Sequence, residues 1–215
     1  MGPTDYNCYV NGDLLFSIEG VHFEVGRVTG ILGRSGSGKS TLLKKLAGQA
    51  PYCIGAVPQG LTEATFTRTP QNFDLIPWKT AGENILFALR RFGQGALFST
   101  HVKRFHCQDF LDQYPRTLSG GQRCRTSLAM TLAKPSSHLL LDEPFSGLDC
   151  LTKAELAEVI FGLTREGITI VFVSHDLPDI VKYADRVYVI RDQGVHLVDD
   201  GGDDYTLLQF LKGEV

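Results

Sequence analysis

Four short runs fix most of what this chain can become: VTGIL (28–32), HLLL (138–141), ITIVFV (168–173) and RVYVI (186–190). None alternates with polar residues, so each reads as a strand buried on both faces, the state of strands in a parallel sheet covered by helices. The fold class is therefore α/β with a mainly parallel sheet. Helical segments lie between the runs. STLLKKLAG (40–48) is predicted to end at Gly48 as its C-cap. TKAELAEVIFGLTREG (152–167) puts Ala154, Leu156, Ile160 and Leu163 on one face and stops at Gly167. The opening stretch YVNGDLLFSIEGVHFEV alternates and contains glycines, which predicts antiparallel strands flanking the main sheet. Residues 83–117 hold no strand-like run; they read as short amphipathic helices broken at GQG (93–95) and Pro115. The expected organisation is one domain over 1–215, with 1–82 and 119–215 as core and 83–118 as a helical insertion.

The VTGIL run leads straight into GRSGSGKST, which fits G-x-x-x-x-G-K-[ST] in its required strand–loop–helix setting. Gly33, Arg34, Ser35, Gly36, Ser37, Gly38, Lys39, Ser40 and Thr41 form a loop whose backbone can wrap a phosphate. Lys39 can reach β- and γ-phosphates, and the Ser40 hydroxyl can ligate Mg²⁺. HLLLDEP supplies the complement. Asp142 ends a buried strand where it can hold Mg²⁺ through water, and Glu143, pointing elsewhere, suits activation of a water. VFVSHD ends a second buried strand with His175, at the sheet edge where ligands of open α/β sheets bind.

A second anion site raises a question. LSGGQ (118–122) places Gly120 and Gly121 at the start of the predicted helix QRCRTSLAMTLAK, where backbone N–H groups favour phosphate. One domain has no evident use for two such cradles.

Phosphate loop, LSGGQ, LLLDEP and SH in this order resemble the nucleotide-binding subunit of ATP-binding-cassette (ABC) transporters, over essentially the whole chain. The resemblance implies a P-loop NTPase (RecA-like) core with an antiparallel β subdomain and an inserted helical subdomain, binding ATP and Mg²⁺. It also answers the question of the second cradle, because in this family two domains pair head to tail. Leu118, Ser119, Gly120, Gly121 and Gln122 would close over the ATP of the other domain. FSGLD (145–149) resembles the loop that crosses that interface, with Asp149 as its acid. Gln71, six residues before Pro77, matches the glutamine that contacts Mg²⁺ or the attacking water; Gln59 is its rival. An N-terminal aromatic stacks on adenine in this family, which points to Tyr9, or alternatively Tyr6. Glu143 is the implied general base, with Lys39, His175 and Gln71 completing the catalytic set and Ser40, Asp142 and Gln71 the metal set.

The resemblance implies separate transmembrane permease subunits as partners and a place on the cytoplasmic face of the cell membrane. LIPW followed by KTAGENI resembles the loop of importer subunits for small anions, often LPW-x-T-x-x-x-N. That leans the reading towards import and adds a solute-binding protein to the expected partners. The segment before Leu118 is shorter than in bacterial importer subunits, which leaves the membrane partner open. The alternative is a non-transport ABC ATPase of DNA repair, chromosome organisation or translation. Those relatives carry coiled coils, zinc modules or paired cassettes, none of which is legible here.

Charge and cysteines agree with this picture. A formal charge of -3 gives no basic footprint for nucleic acid, and DDGGDD (199–204) reads as a solvated loop. No apolar run approaches the length needed to span a bilayer, and the N-terminus has neither signal-peptide nor myristoylation pattern. Five cysteines, at 8, 53, 107, 124 and 150, show no C-x-x-C pair and read as buried free thiols.

Overall fold

The structure is a computed structural model and describes residues 6–10, 13–18, 21–47, 53–54, 65–69, 74–198, 207 and 209. Gly48, Gln59 and Gln71 lie outside this set. Two compact units are present: residues 1–68, 137–144 and 164–215, and residues 69–136 and 145–163.

The first unit carries the sheet. Its strands are β1 (Tyr6–Val10), β2 (Asp13–Ile18), β3 (Val28–Gly33), β4 (Cys53–Ile54), β5 (Phe66–Arg68), β6 (His138–Asp142), β7 (Thr169–Ser174), β8 (Arg186–Arg191) and β9 (Gly194–Val198). Among the described residues they form one sheet in the order β4-β1-β2-β9-β8-β3-β7-β6-β5. The run β8-β3-β7-β6-β5 is parallel throughout. The four apolar runs of the sequence are its β3, β6, β7 and β8, and every position of β3, β6 and β7 is buried.

Helix α1 (Lys39–Leu46) and α6 (Leu177–Tyr183) belong to the same unit. Leu42, Leu43 and Leu46 of α1 join Ile31, Leu140, Val171 and Val173 in one apolar cluster. On the other face of β3, a Cβ at Gly30 would lie 2.9 Å from the Ala184 Cβ and 3.0 Å from Ile180 at the end of α6. Adjacent residues of a strand face opposite ways, so helices cover both sides, which is why these strands show no alternation.

The antiparallel part comprises the pairs β1–β2, β1–β4 and β8–β9. The β8–β9 hairpin turns on Asp192 and Gln193, both left-handed (φ 50° and 61°), the pattern of a two-residue type I′ turn. Parallel pairing of Ser17 and Ile18 with Gly194 and Val195 ties β2 to β9 and so joins the antiparallel strands to the rest of the sheet.

The second unit is helical: α2 (Ala81–Arg91), α3 (Phe98–Arg104), α4 (Gly120–Thr131) and α5 (Cys150–Gly162). The helical stretch expected from Glu83 begins earlier, because Thr80 and Glu83 form a capping box at the start of α2. The break expected at 93–95 is present, Gly93 turning at φ 72° before a short 3₁₀ turn at Gly95–Leu97. The one expected at Pro115 comes earlier: α3 ends at Arg104 and a second 3₁₀ turn follows at Gln108–Phe110. In α5, Ala154 is exposed and Ala157 takes its place beside Leu156 and Ile160. Residue 157 is three before Ile160 and adjacent to Leu156, which keeps all three on one helical stripe, whereas 154 points away from both.

Two buried histidines give the fold a pH dependence. Burial pushes both His101, whose Nδ1 meets the Ala129 carbonyl at 3.2 Å, and His138 below the ordinary value of 6.5. The unfolded chain therefore takes up protons at these sites first as pH falls. Their stabilisation is complete above about pH 6.5 and is lost progressively below it. The urea midpoint should be level between pH 7 and 8 and fall towards pH 5.5; a flat midpoint across that range contradicts this.

The free thiols divide. Cys107 and Cys124 are buried, their thiols pushed up to about 12 by burial. Cys150 is exposed, against expectation, because it opens α5 on the solvent side of its N-cap.

Candidate functional site

In the first unit, the loop after β3 turns sharply through Gly36 and Gly38, at φ 81° and 97°. Both conformations are costly for any residue with a Cβ. They bring the chain into α1 with backbone N–H groups free of side-chain caps, the condition for an anion site at a helix N-terminus. The Lys39 ammonium folds back over this loop and donates to the carbonyls of Gly33 (2.7 Å) and Arg34 (3.1 Å). Burial depresses the Lys39 pKa, and the charges of Glu143 and Asp142 oppose that shift. A buried ammonium satisfied only by carbonyls, beside carboxylates, is electrostatically ready for a polyanion. The Ser37 hydroxyl is buried with no hydrogen-bond partner among the described residues. These features fit a polyphosphate.

The loop meets the acidic strand end directly. Ser40 Oγ donates to Asp142 Oδ1 at 2.8 Å across 102 residues of sequence. The Asp142 side chain is 0% exposed, and its Oδ2 pairs with Arg68 of β5 at 3.0 Å. Among the described residues no three His, Cys, Asp or Glu side chains cluster as a metal cage. One hydroxyl and one carboxylate suit Mg²⁺, which keeps most of its positions for water and phosphate oxygens.

Glu143 follows at φ 51°, its N–H donating to the Val173 carbonyl at 3.1 Å. That turn swings its carboxylate towards β7, where Oε2 lies 2.8 Å from His175 Nδ1. Because a carboxylate only accepts, Nδ1 carries the hydrogen, and Nε2 of a neutral ring is an acceptor. The ring can donate towards a phosphate through Nε2 only when doubly protonated. Glu143 is 16% exposed and His175 67%. The structure thus brings Lys39, Ser40, Asp142, Glu143 and His175 to one edge of the sheet. Tyr6 and Tyr9 lie on β1, but their side chains, like Gln71, fall outside the described set.

The remaining residues lie in the second unit. Ser119 is the N-cap of α4: its hydroxyl accepts from Gln122 N–H at 3.2 Å while Gln122 Oε1 accepts from Ser119 N–H at 2.8 Å. A Cβ at Gly121 would come within 2.8 Å of Thr152 on α5, so close helix approach explains that glycine. Among the described residues, a Cβ at Gly120 would meet nothing within 4 Å. Leu118 is buried. Asp149 caps α5 by accepting from the N–H groups of Leu151 and Thr152 (3.1 and 3.0 Å). Its hydrogen bonds from Thr152 hold the carboxyl below the usual carboxylate range.

The segment after Gln71 has its own logic. Asn84 accepts from Ile76 N–H at 2.8 Å and donates to the carbonyls of Ile76, Lys79 and Thr80. Thr80 caps α2. The threonine and asparagine of the LIPW-K-T motif therefore serve this chain's own loop. Trp78 does not: it is 76% exposed.

Arg68 was not legible as part of the site. It ends a three-residue strand with no periodic signal, and only the parallel register of β5 on β6 brings it to Asp142.

A family model described as ABC transporter matches residues 19–146. The aliphatic sulfonates import ATP-binding protein SsuB 2 of Pseudomonas syringae pv. syringae (strain B728a) is 35% identical over 81% of this chain and 64% of its own length. SsuB of Mycobacterium sp. (strain MCS) is 38% identical over 80% of this chain and 71% of its own. The chain thus spans about two thirds of the length of these relatives. The dimeric structure of MJ0796, a bacterial ABC transporter cassette, superposes with a TM-score of 0.76 at 23% identity, covering 94% of this chain and 98% of that one. The same cassette in a post-hydrolysis state bound to ADP and Pi gives 0.75.

Proposed function

Because the chain belongs to the ABC transporter family, we propose that it is the ATP-hydrolysing subunit of a membrane transporter, working as a head-to-tail dimer. The observation that carries this reading is the Ser40–Asp142 hydrogen bond, 2.8 Å, which joins phosphate loop and acidic strand end into one site. ATP is the substrate. Backbone N–H groups from Arg34 to Thr41 and the Lys39 ammonium bind its phosphates. Ser40 and Asp142 hold Mg²⁺, with Gln71 as a further contact. Bound Mg²⁺ neutralises charge that develops on the phosphates. Glu143 takes a proton from the attacking water, and His175 holds the Glu143 carboxylate in place and senses the γ-phosphate. Tyr9 stacks on adenine.

Leu118 to Gln122 would close over the nucleotide of a second cassette, with Asp149 at that interface. The open space at Gly120 supports this: among the described residues a side chain there would meet nothing within 4 Å, so the glycine suits close approach by a partner's phosphate. Among the described residues no helix is long and apolar enough to cross a membrane. The membrane path belongs to separate permease subunits, engaged from the cytoplasmic face, and exposed Trp78 is a fitting contact for them. The names of the relatives favour import of a small anion such as a sulfonate, with a solute-binding protein as upstream partner.

A tagged Glu143→Gln chain, expressed in the native cell and extracted in mild detergent with ATP, should recover polytopic membrane proteins. An additional solute-binding protein among them supports import. Recovery of soluble or nucleic-acid-bound partners alone would overturn the transport reading.

A further inference from the structure

Both oxygens of Asp142 are engaged. Oδ1 accepts from Ser40, as expected where hydroxyl and carboxylate share a metal; Oδ2 is taken by the Arg68 guanidinium at 3.0 Å. The Arg68 side chain is only 16% exposed, and its Nε is buried with no hydrogen-bond partner among the described residues. A guanidinium keeps its charge at every pH at which a protein folds. Burying one is costly unless an anion pairs with it, so Asp142 and Arg68 depend on each other when no ligand is bound. Metal and guanidinium then claim the same carboxylate. Their like charges repel, which weakens the metal, whereas a triphosphate is attracted by both.

We propose that Arg68 is a built-in counter-ion at the magnesium carboxylate: it holds Asp142 in the absence of metal and pairs with the phosphates of an arriving nucleotide. Nucleotide binding by this chain is therefore only weakly dependent on Mg²⁺. The inference rests on the reading of the phosphate loop as a nucleotide site. The idle Nε–H gives the guanidinium a spare donor for a phosphate oxygen, and Lys39, near enough to Asp142 to feel its charge, supplies a second cation at the site.

The test uses the full chain. Binding of the non-hydrolysable analogue AMP-PNP is measured by calorimetry with Mg²⁺ and with EDTA, and Mn²⁺ binding to the nucleotide-bound chain by electron paramagnetic resonance. In the unaltered chain, removal of Mg²⁺ should weaken AMP-PNP by less than about tenfold; a loss beyond about a hundredfold overturns the proposal. Arg68→Gln keeps an N–H for Asp142 but removes the charge. It should weaken metal-free AMP-PNP and tighten Mn²⁺, each by about tenfold. Arg68→Lys, which restores the charge, should return both towards the unaltered values. Unchanged affinities in Arg68→Gln sink the role of Arg68 while leaving the nucleotide site standing. Failure of the unaltered chain to bind AMP-PNP even with Mg²⁺ overturns the nucleotide site itself, and this inference with it. If both variants misfold, a loss beyond about a hundredfold in the unaltered chain still overturns the proposal.

Discussion

A Glu143→Gln chain should bind ATP as tightly as the unaltered protein and hydrolyse it roughly 10²–10⁴-fold more slowly, the usual contribution of a general base. The substitution is nearly isosteric. The introduced amide can still accept through its oxygen from His175 Nδ1, which lies 2.8 Å from Glu143 Oε2. The backbone N–H at this position can still donate to Val173, and glutamine meets the left-handed backbone there no better and no worse than glutamate. Geometry and phosphate binding are kept, while an amide, its nitrogen lone pair delocalised into the carbonyl, is far too weak a base to take the proton of water. Steady-state phosphate release and equilibrium ATP binding, measured together, separate these effects. Turnover above a tenth of the original would assign the base to another group.

The second large effect is expected at Lys39. Lys39→Ala should weaken ATP binding by roughly 10²-fold, in line with the ~2–5 kcal/mol lost when one partner of a buried charge pair is truncated. Stability without nucleotide should change little. Burial pushes the Lys39 pKa down, so the fold does not favour its charge, and its ammonium bonds to the carbonyls of Gly33 and Arg34 rather than to an anion. An ammonium that the fold holds at a disadvantage fits the proposed role of Lys39 as a phosphate ligand. Lys39→Arg should not restore binding, since a planar guanidinium cannot take the place of a compact ammonium inside the loop. A thermal melt that drops as steeply as the affinity would mean that Lys39 serves the fold instead.

Much of this site was legible because its signals are local. Strands β3, β6 and β7 announced themselves as unbroken apolar runs, since helices cover both faces and no position needs to face water. Asp142, Glu143 and His175 stand at or just past the ends of β6 and β7, and Lys39 and Ser40 open α1 after the loop that follows β3, so locating the strands located the residues. What was not legible depends on pairing between distant segments. Arg68 reaches Asp142 only because Phe66–Arg68 adds to the sheet beside β6, and three residues carry no period. Likewise β9 joins β2 in parallel and β8 antiparallel, a bridging role that no single stretch encodes. Two signals were present but unread: T-x-x-E at Thr80–Glu83, which caps α2, and D-Q-G, which turns the β8–β9 hairpin. The misplacement of Ala154 on the α5 face has a plainer cause: a helix rich in apolar residues offers more than one stripe, and packing chooses among them.

The backbone of Glu143 has a consequence for the history of such a chain. At φ 51° it holds a conformation that costs an L-residue with a Cβ about 1 kcal/mol and glycine almost nothing. Replacement by glycine there would relax the turn while deleting the carboxylate. Selection for stability alone would therefore favour glycine at this position, so a glutamate on this turn fits the proposed role of its carboxylate in turnover.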